Sequence, residues 1–219
     1  MAGFGGFGTG AVAFFEELEE NNNRDWWQAN KGRYESEIRE PLELLFGDLA
    51  DEFGEAKVFR PHRDTRFSKD KTPYKLWAAG SINTGPGVGV YLSLGREGLQ
   101  VAGGGYRMAR DQLAKYRAAV DDAKTGPQLE AIYATLKKAK ASVGGHELLK
   151  TAPRGYSADH PRIDLLRADG ATAGWVHGPK SWLYTKQCLA KVQDGWRALQ
   201  PLMAWVTTNV GASEMEWGR

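Results

Sequence analysis

Residues 74–106 read YKLWAAGSINTGPGVGVYLSLGREGLQVAGGGY, and this stretch decides the fold. The runs YKLWAAGSI and GVGVYLSL lie on either side of NTGPG, whose Asn, Gly and Pro are turn formers. A further run, LSLGREGLQVAG, turns on itself at GREG. The pattern predicts strands over 76–82, 89–94 and 98–104 in one antiparallel meander. Helical periodicity flanks the meander on both sides. Helices, then strands, then helices predict an α+β fold: an antiparallel sheet of about four to six strands with long helices packed on it.

Toward the N-terminus, Thr9 is placed to cap a helix running to about Glu20, with Phe14, Phe15 and Leu18 on one side. Asp25, followed three residues later by Gln28, predicts the start of a second helix. Tyr34, Ile38, Leu42, Leu45, Leu49 and Phe53 step by three or four residues and mark a long amphipathic helix. Pro41 falls inside it and is expected to kink or restart it. Toward the C-terminus, Leu113, Tyr116 and Val120 keep helical step, and Thr125 with Pro127 opens a helix to about Lys140. SVGGHELL reads as a small hairpin, and DHPRIDLLRA as a short helix capped by Asp159. A last stripe of Leu189, Val192, Trp196, Leu199, Met203 and Val206 is interrupted at Pro201. No repeat or linker breaks the chain, so residues 1–219 read as one domain.

With 42% hydrophobic and 11% aromatic residues, the composition is that of a folded globular protein rather than a disordered chain. The lone Cys188 rules out an intrachain disulfide. His62, His146 and His177 show no metal-ligand spacing, so no metal or cofactor is expected. The opening MAGFGGFGTG has no basic stretch followed by an apolar run, and no window approaches the roughly 18 apolar residues of a membrane span. The expectation is a soluble cytoplasmic protein with no membrane partner.

The net charge of +2 conceals an asymmetry: residues 1–56 carry −9, and residues 57–75 alone carry +5. The cationic segment is FRPHRDTRFSKDKTPYK, residues 59–75. Pro61, Pro73 and the Thr, Ser and Asp between them disfavour a helix, which predicts an extended strand end leading into an ordered loop. Clustered cations repel, so something offsets them. Asp64, Asp70 or the acidic helices are one offset, and a bound phosphate or carboxylate is the other. On the ligand reading Arg60, Arg63, Arg66 and Lys71 hold the anion in one concavity. Asp64 orients the arginines and Tyr74 completes the wall. Phe67 is expected to anchor the loop in the core.

The pattern Arg60-x-x-Arg63-Asp64-x-Arg66-Phe67-x-x-Asp70-Lys71-x-x-Tyr74 resembles the signature of a widespread family of bacterial proteins, with relatives in fungi. FFEELEENNNRDWWQANKGRYE, VAGGGY and APRGYSADHP resemble it too. The family is a domain of unknown function, so the resemblance supplies no activity or catalytic residue.

Secondary candidates lie outside the motif. Gly103-Gly104-Gly105 ends a strand before a helix, with Arg107 and Arg110 near; glycines there admit either an anion to backbone N–H groups or a neighbouring side chain. His160, the partner of Asp159 in an Asp-His pair, is a candidate acid or base near neutral pH. Three functional classes follow. The leading one is a site, binding or catalytic, for a phosphorylated or carboxylated small molecule. The alternatives are a nucleic-acid binding module and an interaction protein whose motif is an ion-pair network. Neither the reaction nor the oligomeric state is fixed by these residues.

Overall fold

The structure is a computed structural model that describes residues 3–215; Met1 and Ala2 of the opening stretch read above lie outside the described residues. Its strands are β1 (Ala56–Val58), β2 (Trp77–Gly85), β3 (Val88–Gly95), β4 (Gly98–Gly105), β5 (Ser142–Gly144) and β6 (Ala171–His177). They form one six-stranded antiparallel sheet in the order β1-β2-β3-β4-β6-β5. The meander read from residues 74–106 is therefore present as β2, β3 and β4, joined at Pro86-Gly87 and Arg96-Glu97. In β3, Val88, Val90, Leu92 and Leu94 are buried on one face while Gly89, Tyr91 and Gly95 alternate with them at intermediate exposure.

The helices are α1 (Ala11–Glu20), α2 (Arg24–Tyr34), α3 (Glu40–Phe53), α4 (Arg110–Asp121), α5 (Thr125–Lys138), α6 (Ile163–Leu166), α7 (Gln187–Ala198) and α8 (Gln200–Asn209). Pro41 restarts the long N-terminal pattern as expected. A π-helical turn over Glu35–Arg39 separates α2 from α3, and the proline sits in the first turn of α3, directly after it. Pro201 divides α7 from α8 in the same way.

Four local expectations are corrected. Gly10, not Thr9, precedes α1, and Asn23, not Asp25, caps α2 by accepting from Trp26 N at 3.0 Å. SVGGHELL is not a hairpin: β5 pairs with β6, Ser142 facing Gly174, and the following residues pair with 167–169 through Leu149 N to Arg167 O at 2.9 Å. Asp159 does not cap α6; His160 Nδ1 accepts the Arg162 amide at 3.0 Å at the helix entry.

The chain divides into two compact units, one of residues Met1–Ile82, Tyr91–Val101 and Val176–Asp194, the other of Asn83–Val90, Ala102–Trp175 and Gly195–Arg219. In the first, Phe14, Phe15, Trp27, Tyr34, Ile38, Leu42, Leu45 and Phe46 form an aromatic-rich core. Phe46 lies against Gly80 of β2, where a Cβ would come within 2.6 Å of its ring. In the second, Tyr116, Val120, Leu129, Tyr133, Leu202, Trp205 and Val206 are buried. Trp205 Nε1 donates to Thr125 O at 2.9 Å, tying α8 to the start of α5. Among the described residues no helix is long and apolar enough to cross a membrane.

Candidate functional site

The cationic segment links β1 to β2 as an irregular hairpin within the first unit. His62 and Tyr74 form an isolated antiparallel bridge. Arg63 N donates to Pro73 O and Lys75 N to Pro61 O, both at 2.8 Å. Beyond that bridge the two prolines and the polar run leave no ladder, and side chains hold the loop instead. Arg63 Nη1 donates to both Asp70 Oδ2 and Thr72 Oγ1. Asp70 Oδ1 also accepts the Thr72 amide at 2.9 Å. Arg66 grips Asp64 with a fork, Nε to Oδ1 at 3.0 Å and Nη2 to Oδ2 at 2.7 Å. Lys71 Nζ donates to Thr65 O at 2.9 Å. Arg63 and Arg66 thus each engage an aspartate of the motif itself, while on the acidic helices Glu17 pairs with Arg33, Glu43 with Arg39 and Glu19 with Arg96.

These pairs set a pH dependence. Hydrogen bonds from Arg66 hold the Asp64 carboxyl down at about 2, and hydrogen bonds from Arg63 and Thr72 do the same for Asp70. A free aspartate titrates near about 3.9. The folded values lie below that, so the pairs stabilise the loop above about pH 4 and lose that contribution as pH falls through about 2. Carboxyl NMR titration is expected to show both midpoints displaced below an ordinary aspartate. An ordinary midpoint for Asp70 would show that the Arg63 pair is not formed.

The aromatic roles are the reverse of those expected for Phe67 and left open for Tyr74. Phe67 is 96% exposed at the loop tip, so it anchors nothing. Tyr74 is the anchor, 4% exposed and stacked on Trp27 with ring centroids 4.1 Å apart and planes 10° from parallel. Asn22 secures its backbone, accepting Tyr74 N at 3.1 Å and donating to Tyr74 O at 2.9 Å. Spacing alone does not distinguish two aromatics seven residues apart in a loop. The bridge to His62 puts Tyr74 at the base of the hairpin and Phe67 at its tip.

One residue that sequence reasoning missed completes the cationic surface. Lys75 Nζ donates to Arg60 O at 3.0 Å and lies 5.7 Å from the centroid of the Phe59 ring. Burial, with the Arg60 charge added, lowers the pKa of Lys75 below that of an ordinary lysine. Among the described residues neither Arg60 nor Lys75 is in an ion pair. Phe59 in turn lies 6.4 Å from the Tyr91 ring, and Arg39 Nη1 fixes Phe59 O at 3.1 Å. The signal for Lys75 was its place between the anchor Tyr74 and the apolar pair Leu76-Trp77.

The secondary candidates belong to the second unit. Gly104 has φ of 125°, and a Cβ there would meet Ala171 O of β6 at 2.2 Å. A Cβ on Gly105 would meet Met108 Cε at 2.7 Å. The glycine run is filled by the protein's own atoms. Arg107 donates to His146 Nε2 at 2.6 Å and lies 5.5 Å from the Tyr106 ring. Both ring nitrogens of His160 are engaged: Nδ1 accepts Arg162 N, and Nε2 meets Asp121 Oδ1 at 2.9 Å. Both nitrogens are thus taken up by partners within the protein. Cys188 is buried, which pushes its thiol up to about 12, and it behaves as a core residue.

An α+β fold with a cationic, internally paired hairpin defines a class of protein rather than an activity. Residues 10–205 match the family described as "Conserved hypothetical protein (DUF2461)", and the chain belongs to that family. A search of curated proteins found no match.

Proposed function

We propose that residues 59–75 form the anion-binding element of a site for a phosphorylated or carboxylated small molecule. Arg60 and Lys75 hold the anion, and the pairs Arg63–Asp70 and Arg66–Asp64 hold the loop that presents them. The observation that carries this reading is the juxtaposition of Arg60 with the half-buried Lys75, neither in an ion pair among the described residues. Lys75 is partly desolvated beside the exposed charge of Arg60, and an incoming phosphate or carboxylate offsets that penalty. Arg63 commits only Nη1 to its side-chain partners, so its remaining donors are available to the same guest.

The test is melting temperature and phosphate affinity for three proteins. A ligand at 100 times its dissociation constant adds about 2.7 kcal/mol, a readable shift for the parent. Lys75→Met is expected to melt no lower than the parent without anion and to bind phosphate about tenfold more weakly. Arg63→Ala is expected to melt lower, because Asp70 and Thr72 lose their partner. If the parent gains nothing from phosphate, the proposal is wrong; a lower melting temperature for Lys75→Met would then show that its bond to Arg60 O serves the fold.

A second reading rests on Phe67. Its exposed ring, with the Arg66 guanidinium 5.8 Å from its centroid, is the arrangement that stacks on an unpaired base. Binding of a single-stranded oligonucleotide that weakens steeply with salt and is lost in Phe67→Ala would favour that reading. The small-molecule site leaves Phe67→Ala without effect.

A further inference from the structure

A groove of about 440 Å³ lies in the first unit, lined by Leu76, Trp77, Tyr91, Ser93, Gln100 and Val176 among others. That volume is within the roughly 300–1,000 Å³ of small-molecule sites. Its walls come from β2, β3, β4 and β6 at positions where the sheet carries small or flat side chains. Trp77 is 44% exposed, a large apolar surface left to water. Ser93 is buried and donates to Gln100 Oε1 at 3.2 Å, which orients the carboxamide and leaves its NH2 group for another acceptor. Arg96, also at the groove, is committed to Glu19 at 2.5 Å and to Glu97 at 3.2 Å. The groove therefore offers flat apolar walls and neutral amide donors, with its guanidinium already paired.

Tyr91 connects this groove to the cations. Its ring is 6.4 Å from that of Phe59, and Lys75 stands 5.7 Å from Phe59 on the way to Arg60. The chain makes the same connection covalently, since Lys75, Leu76 and Trp77 are consecutive. A ligand that satisfies both ends has an uncharged flat body and an anionic tail. The amide of Gln100 asks for a hydrogen-bond acceptor on the edge of that body. An aliphatic acid lacks the flat face, and inorganic phosphate leaves the groove empty.

Building on the anion-binding reading of Arg60 and Lys75, we propose that the ligand is a nucleoside monophosphate. Its heteroaromatic base lies in the groove against Trp77 and Tyr91 with its edge toward Gln100, and its phosphate reaches Lys75 and Arg60.

The probes are adenosine monophosphate, adenosine and inorganic phosphate, titrated calorimetrically into the parent, Trp77→Ala, Trp77→Phe and Lys75→Met. The monophosphate is expected to bind the parent more tightly than either fragment. Trp77→Ala is expected to weaken the monophosphate and adenosine by roughly tenfold and to leave phosphate unchanged, since stacking is lost and the cations remain. Trp77→Phe, which keeps a flat ring, is expected to restore most of that loss and controls for folding. Lys75→Met is expected to weaken the monophosphate and phosphate but not adenosine. Should the monophosphate bind no tighter than phosphate, or Trp77→Ala leave it unchanged, the groove proposal is overturned while the anion site stands. Adenosine binding that depends on Trp77, with no phosphate binding, would overturn the anion site and with it the phosphate half of this proposal. Absence of binding by all three probes overturns both.

Discussion

Tyr74→Ala is expected to destabilise the protein by about 3–5 kcal/mol, the cost of removing a buried aromatic side chain from a packed core. That is a large share of the roughly 5–15 kcal/mol that holds a domain together. The ring is 4% exposed and stacks on Trp27, which is itself buried and lies beside Phe14 and Tyr34. Neighbours held by α1 and α2 have little freedom to close the cavity. The loop suffers as well. Tyr74 is one half of its bridge to His62, and its backbone is held by Asn22. Lys75 is the next residue, so on the proposed anion site loosening the base of the hairpin is expected to weaken phosphate binding as well. Tyr74→Phe separates the two possible roles of this side chain. It keeps the stacked ring and is expected to retain nearly all the stability. If the hydroxyl faces a ligand, as the motif alone suggested, Tyr74→Phe will lower anion affinity at unchanged stability. Urea denaturation gives the first quantity and calorimetry the second. A loss below about 1 kcal/mol in Tyr74→Ala would show that the hairpin is not docked through this ring.

What was legible in the residues follows their physics. The meander was readable because β2, β3 and β4 carry strand-forming residues up to turns rich in Gly and Pro, and turn chemistry is local. Pro41 and Pro201 were readable because a missing N–H has one consequence in a helix wherever the chain lies. β6 was not readable. Its ATAGWVH alternates small residues, has a glycine at its centre, and owes its place to pairing with residues far away in sequence. β5 is three residues long and pairs with β6, so Gly144 with Gly145 after it looks like a turn when read alone.

The site shows the same division. The density of cations in residues 59–75 marks the element without any structure. Which cation meets which carboxylate depends on the hairpin. Arg63 reaches Asp70 across it, seven residues away, because the bridge at His62 and Tyr74 folds the strands together. The expected concavity of Arg60, Arg63, Arg66 and Lys71 treated the charges as interchangeable. The structure divides them: Arg63, Arg66 and Lys71 shape the loop, and Arg60 joins Lys75, just past the last position of the motif.

The glycine run gives the other large effect. Gly104→Ala is expected to cost about 2–4 kcal/mol, from two causes that act together. Gly104 has φ of 125°, outside the region that residues with a Cβ adopt readily. An added Cβ would also lie 2.2 Å from Ala171 O and 3.0 Å from Thr172 Cα, both backbone atoms of β6. No side-chain rotation relieves such a contact, so β4 and β6 must separate where they share the sheet. Gly144→Ala is the matched control. It also has positive φ, 140°, but nothing lies within 4 Å of its added Cβ, so it bears the conformational cost alone, about 1 kcal/mol. The pair decides between the two readings of the run. Had these glycines been there to let an anion approach the backbone, Gly104→Ala would bear only the conformational cost, melt near Gly144→Ala, and abolish phosphate binding. Close packing of β4 on β6 requires the opposite order: Gly104→Ala melts well below Gly144→Ala, and, on the proposed anion site, any phosphate affinity of the folded fraction is expected to equal the parent's, because Arg60 and Lys75 are untouched.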